Sequence, residues 1–270
     1  MMDDITPKPA SGLHAEAAPR VRPPLSEAEL ERRRGKPWTL RVVGAVNIGP
    51  RMRRVQLTAD NLDGFEPRPG QEIVLQIPQQ DGEPARRHYT IRRFDRRSKL
   101  IDVDFVIHGD KTPGIRWALE ARPGDAIDIR GPRGRIALAP EADWHLFSGD
   151  ETAIPAIFAL LEAMPKEAKA FAFIEIGSDA EKAALAAEAD VTLVWLTRNG
   201  AAAGPSRRLI DAIEHFAPPP GKGHAIIIGE TSNVRAQRHH LLEHGMTREQ
   251  IYAEGYWRPG RIGGHDHVDN

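Results

Sequence analysis

A change of hydrophobic rhythm near Pro140 constrains this chain more than any other feature. From Trp38 to about Leu138, short runs of Val, Ile and Leu are separated by Gly, Pro and Asp, the pattern of antiparallel strands joined by turns. The expected strands are 39–48, 53–58, 72–77, 88–93, 100–107 and 126–130, a number and spacing that suit a small closed barrel. One helix should interrupt them, from Pro113, where proline suits a first helical turn, to Ala121. Beyond Pro140, apolar strands expected at 144–147, 170–176, 192–196, 225–228 and 250–253 alternate with helices at 153–164, 180–189, 207–216 and 234–244. The predicted fold class is therefore β plus α/β, with an antiparallel β-barrel over 36–139 followed by a doubly wound parallel sheet over 140–260. Ligands are expected at the carboxyl ends of the parallel strands.

The flanks read differently. Residues 1–35 carry Pro7, Pro9, Pro19, Pro23 and Pro24 with little apolar periodicity and are expected to form a mobile arm. Within it, Ser26-Glu27-Ala28-Glu29 matches a capping box and predicts a short helix up to Arg34. A tail over 261–270 includes His265-Asp266-His267, to which no catalytic role is given.

Charge and composition narrow the chemistry. Lys plus Arg number 37 against 38 for Asp plus Glu, a net charge of -1, which offers no general field for a nucleic acid. With no cysteine, the chain holds no disulfide, thiolate zinc site or cysteine-ligated iron–sulfur cluster, so redox chemistry would need a bound organic cofactor. The start Met1-Met2-Asp3-Asp4 lacks the basic and apolar regions of a secretory signal, and the most apolar stretch, 153–164, is too short to span a bilayer. A cytoplasmic protein without membrane insertion is expected.

Three segments carry candidate chemistry. In Arg87-His88-Tyr89-Thr90, strand periodicity puts Arg87 and Tyr89 on one face, a guanidinium for phosphate beside a ring for stacking. The next strand leads through His108-Gly109 into Thr112-Pro113-Gly114-Ile115, where a helix starting at Pro113 would aim free N–H groups at a pyrophosphate. The first parallel strand opens into Gly149-Asp150-Glu151-Thr152-Ala153, the place where nucleotide folds hold phosphates, although its acids would repel a pyrophosphate unless they face the helix cap. Asp150 alone reads as a cap. Trp117 reads as a core residue. His240 and His244, one helical turn apart, lack an evident third metal ligand, so no metal site is expected.

The ordered run of these motifs with Phe105-Val106-Ile107-His108-Gly109, Gly131-Pro132-Arg133-Gly134, Gly229-Glu230 and Gly255-Tyr256-Trp257-Arg258 resembles the siderophore-interacting proteins of the ferredoxin-reductase superfamily. The likeness covers roughly Trp38 to Gly260. It implies a barrel that binds FAD, a domain that binds NADPH or NADH, and a ferric siderophore as electron acceptor, with ferredoxin as an alternative donor. By this resemblance Tyr89 stacks on the flavin and Thr90 approaches its reactive edge as the catalytic pair. Arg87 binds phosphate, and His88, His108, Gly109, Thr112 and Pro113 complete the flavin site. Gly149, Asp150, Glu151, Thr152, Ala153, Gly229 and Glu230 border the nicotinamide nucleotide, and Tyr256 and Trp257 are counted among the cofactor-binding residues. Arg51, Arg53 and Arg54 are candidates for the anionic chelate, as are arginines at 92, 93, 96 and 97. Arg198, with Arg207 or Arg208, is placed to meet a 2′-phosphate.

One departure stands out. The family has Gly-Pro-Ala-Ser before the Trp, whereas Ile115 here occupies the serine position, leaving Thr112 as the hydroxyl in its place. Two readings compete with the reductase: a siderophore carrier that lost turnover, and a general flavin reductase serving another redox partner.

Overall fold

Alternating burial builds the first half of the computed structural model, which describes Ser26, Glu29 and residues 35–108, 112–261 and 266–267. The strands β1 (Pro37–Gly49), β2 (Met52–Thr58), β3 (Glu72–Ile77), β4 (Ala85–Asp95), β5 (Leu100–Val106) and β6 (Ala126–Arg133) close into a barrel in the order β1-β2-β5-β4-β3-β6. Its interior is apolar, with Leu40, Val55, Ile73, Ile101, Phe105 and Ile129 at 0–1% exposure. The six strands are those expected. β6 runs on past the expected 130 through Gly131-Pro132-Arg133.

The barrel parts in a seam between β4 and β5. β4 pairs with β3 from Ala85 to Thr90, yet it pairs with β5 only from Ile91 onward. The edge carrying Arg87-His88-Tyr89-Thr90 therefore has no strand beside it on the β5 side. Helix α1 (Pro113–Glu120) packs against β2, β3 and β5 at this end, and Trp117 joins the barrel core as expected, its ring 5.7 Å from that of Phe105.

In the second half, β7 (Trp144–Asp150), β8 (Lys169–Ile176), β9 (Asp190–Thr197), β10 (Gly223–Glu230) and β11 (Ile251–Trp257) form a parallel sheet, with the short β12 (Asp266–His267) antiparallel at its edge in the order β12-β11-β10-β7-β8-β9. Helix α2 (Ile154–Leu161) fills an apolar layer on one face, while α3 (Arg208–Glu214) and α4 (Thr231–Glu243) fill the other. The doubly wound sheet is as the sequence predicts. Its carboxyl edge meets the barrel, because α2 also packs on β4.

Two elements depart from expectation. The Ala-rich segment predicted as a helix over 180–189 forms only a 3₁₀ turn, Asp179–Glu181, and then runs on irregularly. Leu185, Ala187 and Ala189 lie at two-residue spacing and pack into the layer under α2, so burial of alternate residues overrides helix propensity. The last parallel strand extends to Trp257, beyond the expected 253. At the amino end, Ser26 and Glu29 make the reciprocal bonds of a capping box, the Glu29 amide donating to Ser26 Oγ and the Ser26 amide to Glu29 Oε2. Apart from Gly35, the rest of the predicted arm and helix lies outside the described residues, as does His265. Among the described residues no helix is long and apolar enough to cross a membrane.

Candidate functional site

The parted edge of β4 sets the first half of the site. Tyr89 lies against Phe105, ring centroids 4.1 Å apart, and its hydroxyl presses on the first turn of α1. A Cβ at Gly114 would stand 2.1 Å from that hydroxyl oxygen, so only glycine admits the approach. Burial pushes the Tyr89 phenol above its ordinary range, with the charge of Arg87 opposing it, so the ring stays neutral. Arg87 itself donates to the Arg86 carbonyl at 2.8 Å, and among the described residues no carboxylate comes within ion-pair reach of it. Thr112 makes no side-chain cap, and the first turn of α1 carries no acid. An uncommitted guanidinium and an uncapped helix N-terminus, both beside Tyr89, are the donor set an anion needs.

The opposite face of β4 is occupied differently. His88 Nδ1 lies 2.7 Å from Glu72 Oε1, which Arg133 Nε approaches at 3.2 Å. The sequence groups His88 with Arg87 and Tyr89, but strand alternation turns it away from them, toward a cavity of about 610 Å³ lined also by Arg68, Tyr252 and Tyr256. Thr90 shares that face and is hydrogen-bonded to Tyr256, whose phenol burial raises well above its ordinary pKa. Pro113 opens α1, and His108 sits exposed in the bend after β5. Ile115 is 2% exposed and belongs to the core, whereas Gly109 lies outside the described residues.

The carboxyl edge of the sheet forms the second half. Gly149 is fixed by close packing, since a Cβ there would stand 2.3 Å from the Ile228 carbonyl and 2.4 Å from Ala153 Cβ. Asp150 does more than cap. Its Oδ1 accepts from the Thr152 amide at 2.9 Å and hydroxyl at 2.5 Å, and its Oδ2 from the Glu230 amide at 2.8 Å and Trp257 Nε1 at 2.9 Å. One carboxylate thus ties the ends of β7, β10 and β11 together. Burial, then the neighbouring Glu151, push its pKa up to about 6 against those donors. Gly229 adopts φ +136° where Asp150 Oδ2 would stand 2.7 Å from any Cβ, a conformation and a space that both demand glycine. Glu230 Oε2 caps α4 at the Asn233 amide, 2.9 Å away, while its Oε1 is buried with no partner among the described residues.

Glu151 and Arg198 require a correction. Arg198 is turned inward with 1% of its side chain exposed, and holds Glu151 through two bonds of 2.8 and 2.5 Å and Glu175 at 3.4 Å. Burial opposes its charge, but the Glu151 bonds and both carboxylates outweigh that and raise its pKa. It is therefore not presented to a 2′-phosphate as the sequence suggests. Arg207 is likewise engaged, by Asp211 at 2.9 Å and Glu214 at 3.1 Å. The sequence-level concern about an acidic loop also dissolves: Asp150 and Glu151 are 3% and 4% exposed, so the loop shows a ligand its backbone.

The three arginines proposed for the chelate are engaged differently. Arg53 Nε donates to the Ala118 carbonyl of α1 at 2.7 Å and its NH1 to Asn47 at 2.9 Å. Arg54 makes a two-pronged pair with Asp104 at 2.7 and 2.8 Å. Arg51 alone reaches the sheet, standing 3.8 Å from both Glu151 and Glu181. Arg51 and Arg54 line a cavity of about 700 Å³ between barrel and sheet, together with Arg92, Arg93, Glu162 and Phe158. The sequence missed Glu175, Ser206 and Gln237, which complete the buried polar network: Ser206 Oγ donates to Glu175 at 2.7 Å, and Ser148 Oγ to Gln237 Oε1. The available signal was a charged residue, Glu175, inside the apolar run that follows Lys169 in β8. Among the described residues no group of three metal-ligating side chains occurs, and the His240 and His244 rings simply stack at 4.0 Å.

Comparison with known proteins places these features. The family model for siderophore-interacting protein matches residues 142–260, and that for siderophore-interacting FAD-binding domain matches 68–136. The chain is 36% identical over 236 residues to the ferric vibriobactin reductase ViuB of Vibrio cholerae, covering 79% of this chain and 86% of that one. It is 26% identical over 211 residues to the NADPH-dependent ferric-chelate reductase of Escherichia coli, 69% of this chain and 82% of that one. The crystal structure of a siderophore utilization protein from T. fusca superposes with a TM-score of 0.80 at 34% identity, covering 88% of this chain and 98% of its own.

Proposed function

The chain belongs to the siderophore-interacting protein family, and from that premise we propose that it is an FAD-dependent reductase of ferric siderophores that takes electrons from NADPH or NADH. The observation that carries this reading is the uncommitted Arg87 beside the uncapped tip of α1, with Tyr89 between them. The residues fit FAD. Arg87 and the first amides of α1 would hold its diphosphate, Tyr89 offers the ring for stacking, and the unpaired edge of β4 offers backbone donors and acceptors to the polar rim of a flavin. Bound FAD supplies the junction between a two-electron hydride donor and ferric iron, which accepts electrons singly.

The other residues position and shield. Thr90 is hydrogen-bonded to Tyr256 and Asp150 fixes the Trp257 indole, so the end of β11 is held both to the sheet and to β4. Gly149, Thr152 and Ala153 would border the nicotinamide nucleotide through a loop whose acids face inward. No side chain of this set has to donate a proton to iron. Once reduced, iron binds hard oxygen ligands more weakly and can leave its chelator, which in this reading occurs in the cytoplasm. Ferredoxin is the alternative donor.

Purified protein is expected to be yellow, to bleach anaerobically with NADPH or NADH, and to regain colour when a ferric siderophore is added. Recovery with dioxygen alone would instead favour a general flavin reductase. A colourless protein that still binds the chelate would favour a carrier.

A further inference from the structure

Two arginines cross from the barrel to the sheet, and they are held very differently. Arg92, on β4, grips Glu162 just past α2 through bonds of 2.7 and 2.6 Å and lies 5.8 Å over the Phe158 ring. Arg51, in the β1–β2 turn, crosses the same 700 Å³ cavity but stands 3.8 Å from Glu151 and 3.8 Å from Glu181, with its Nε 3.4 Å from the Ile107 carbonyl. Its partners define its reach. Ile107 lies at the end of β5 where the barrel seam opens, Glu151 belongs to the loop after β7, and Glu181 folds back on the end of β8, accepting from the Gly177 amide at 3.3 Å.

The sequence groups Arg51 with arginines for an anionic chelate. A chelate approaching it would meet the two carboxylates already beside that guanidinium, and Glu151 cannot swing away because Arg198 holds it by two short bonds. The ends of β7 and β8 are where doubly wound sheets bind nucleotides. We propose that Arg51 is a positioning residue for the donor half of the reaction. It draws the loop at Glu151 and the turn at Glu181 toward the end of β5, and so holds the nucleotide edge of the sheet in register with the flavin end of the barrel. This rests on the reductase reading above.

The test separates the two half-reactions by anaerobic stopped flow on the full-length holoprotein. Arg51→Ala is expected to slow flavin bleaching by the nicotinamide about tenfold, mainly through a weaker apparent donor affinity, roughly the effect of ~1.4 kcal/mol. Reoxidation of dithionite-reduced protein by a ferric catecholate should stay within about twofold of wild type. Glu181→Gln, which loosens the clasp from the other side, should shift the same half-reaction, and Arg51→Lys should restore part of the loss. Arg41→Ala, an exposed arginine paired with Asp60 far from the clasp, is the charge-matched control. Hydrogen exchange gives a readout independent of turnover: residues 149–154 and 177–182 should exchange faster in Arg51→Ala than in Arg41→Ala. A slowed chelate step with an intact donor step, or no change in either rate or exchange, would overturn the proposal. Failure of the wild-type protein to bind FAD or to be reoxidised by the chelate would overturn the reductase reading instead.

Discussion

The barrel seam and the carboxyl edge of the sheet face each other, yet they treat their polar groups in opposite ways. At the seam, Arg87 and the tip of α1 have neither a carboxylate nor a side-chain cap among the described residues. At the sheet edge, Asp150, Glu151, Glu175 and Arg198 are buried and bonded to one another or to nearby amides and hydroxyls. The contrast separates groups kept for a ligand from groups that build its frame. Open groups should be worth binding energy and little stability, and paired groups the reverse.

Glycine substitutions break the comparison most sharply. Gly149→Val puts a branched side chain where a Cβ already meets the Ile228 carbonyl at 2.3 Å, backbone that cannot move without opening the sheet. A loss of at least ~3 kcal/mol in denaturant unfolding is expected. Gly114→Ala meets the movable Tyr89 hydroxyl instead, so the fold should survive while FAD affinity falls about tenfold as the ring is displaced. Equal stability losses at the two glycines would erase the distinction.

Asp150→Asn keeps the volume but cannot accept from Thr152, Glu230 and Trp257 at once. Flavin-free protein should lose ~1–3 kcal/mol of stability, with a change in Trp257 fluorescence, while FAD affinity changes less than about twofold.

The far ends of the same strands supply a smaller, pH-dependent test. His145 and His224 are register partners on β7 and β10, with rings 5.4 Å apart, and burial holds both below the ordinary imidazole pKa, His224 at about 4. The unfolded chain takes up these protons near pH 6.5, whereas in the native chain both uptakes are pushed to lower pH, that of His224 to about 4. Stability should therefore fall by roughly 1–3 kcal/mol as pH drops through that window. Asp150, with its pKa raised, works in the opposite sense below pH 6. His224→Gln should flatten the net slope in urea melts at pH 7.5 and pH 5. The smallest effect is expected from Arg53→Ala, which loses the bond to the Ala118 carbonyl: under about 1.5 kcal/mol of stability and no change in chelate reduction.

Periodicity made most of the fold legible. The two-residue alternation of the first half and the strand–helix alternation of the second predict the barrel and the doubly wound sheet, because each follows from burying one face of a regular element. The helix over 180–189 was misread because its alanines favour a helix, whereas the layer under α2 takes up Leu185, Ala187 and Ala189 in alternation. Within the site, Arg87 and Tyr89 share a face as their spacing requires. His88 was grouped with them through family resemblance, against the same alternation. Arg198 was misplaced for another reason: sequence shows a charge at a strand end, and only the fold shows that Glu151, in the loop after β7, and Glu175, on β8, converge on it.

The most direct test of the central claim is the FAD dissociation constant of wild type and Arg87→Ala, measured by flavin fluorescence quenching alongside thermal melts of the flavin-free proteins. One FAD per chain, bound about 10–100-fold more weakly by the variant at an unchanged melting temperature, is the predicted result. Absence of uptake by wild type, or equal affinity in the two proteins, would contradict it.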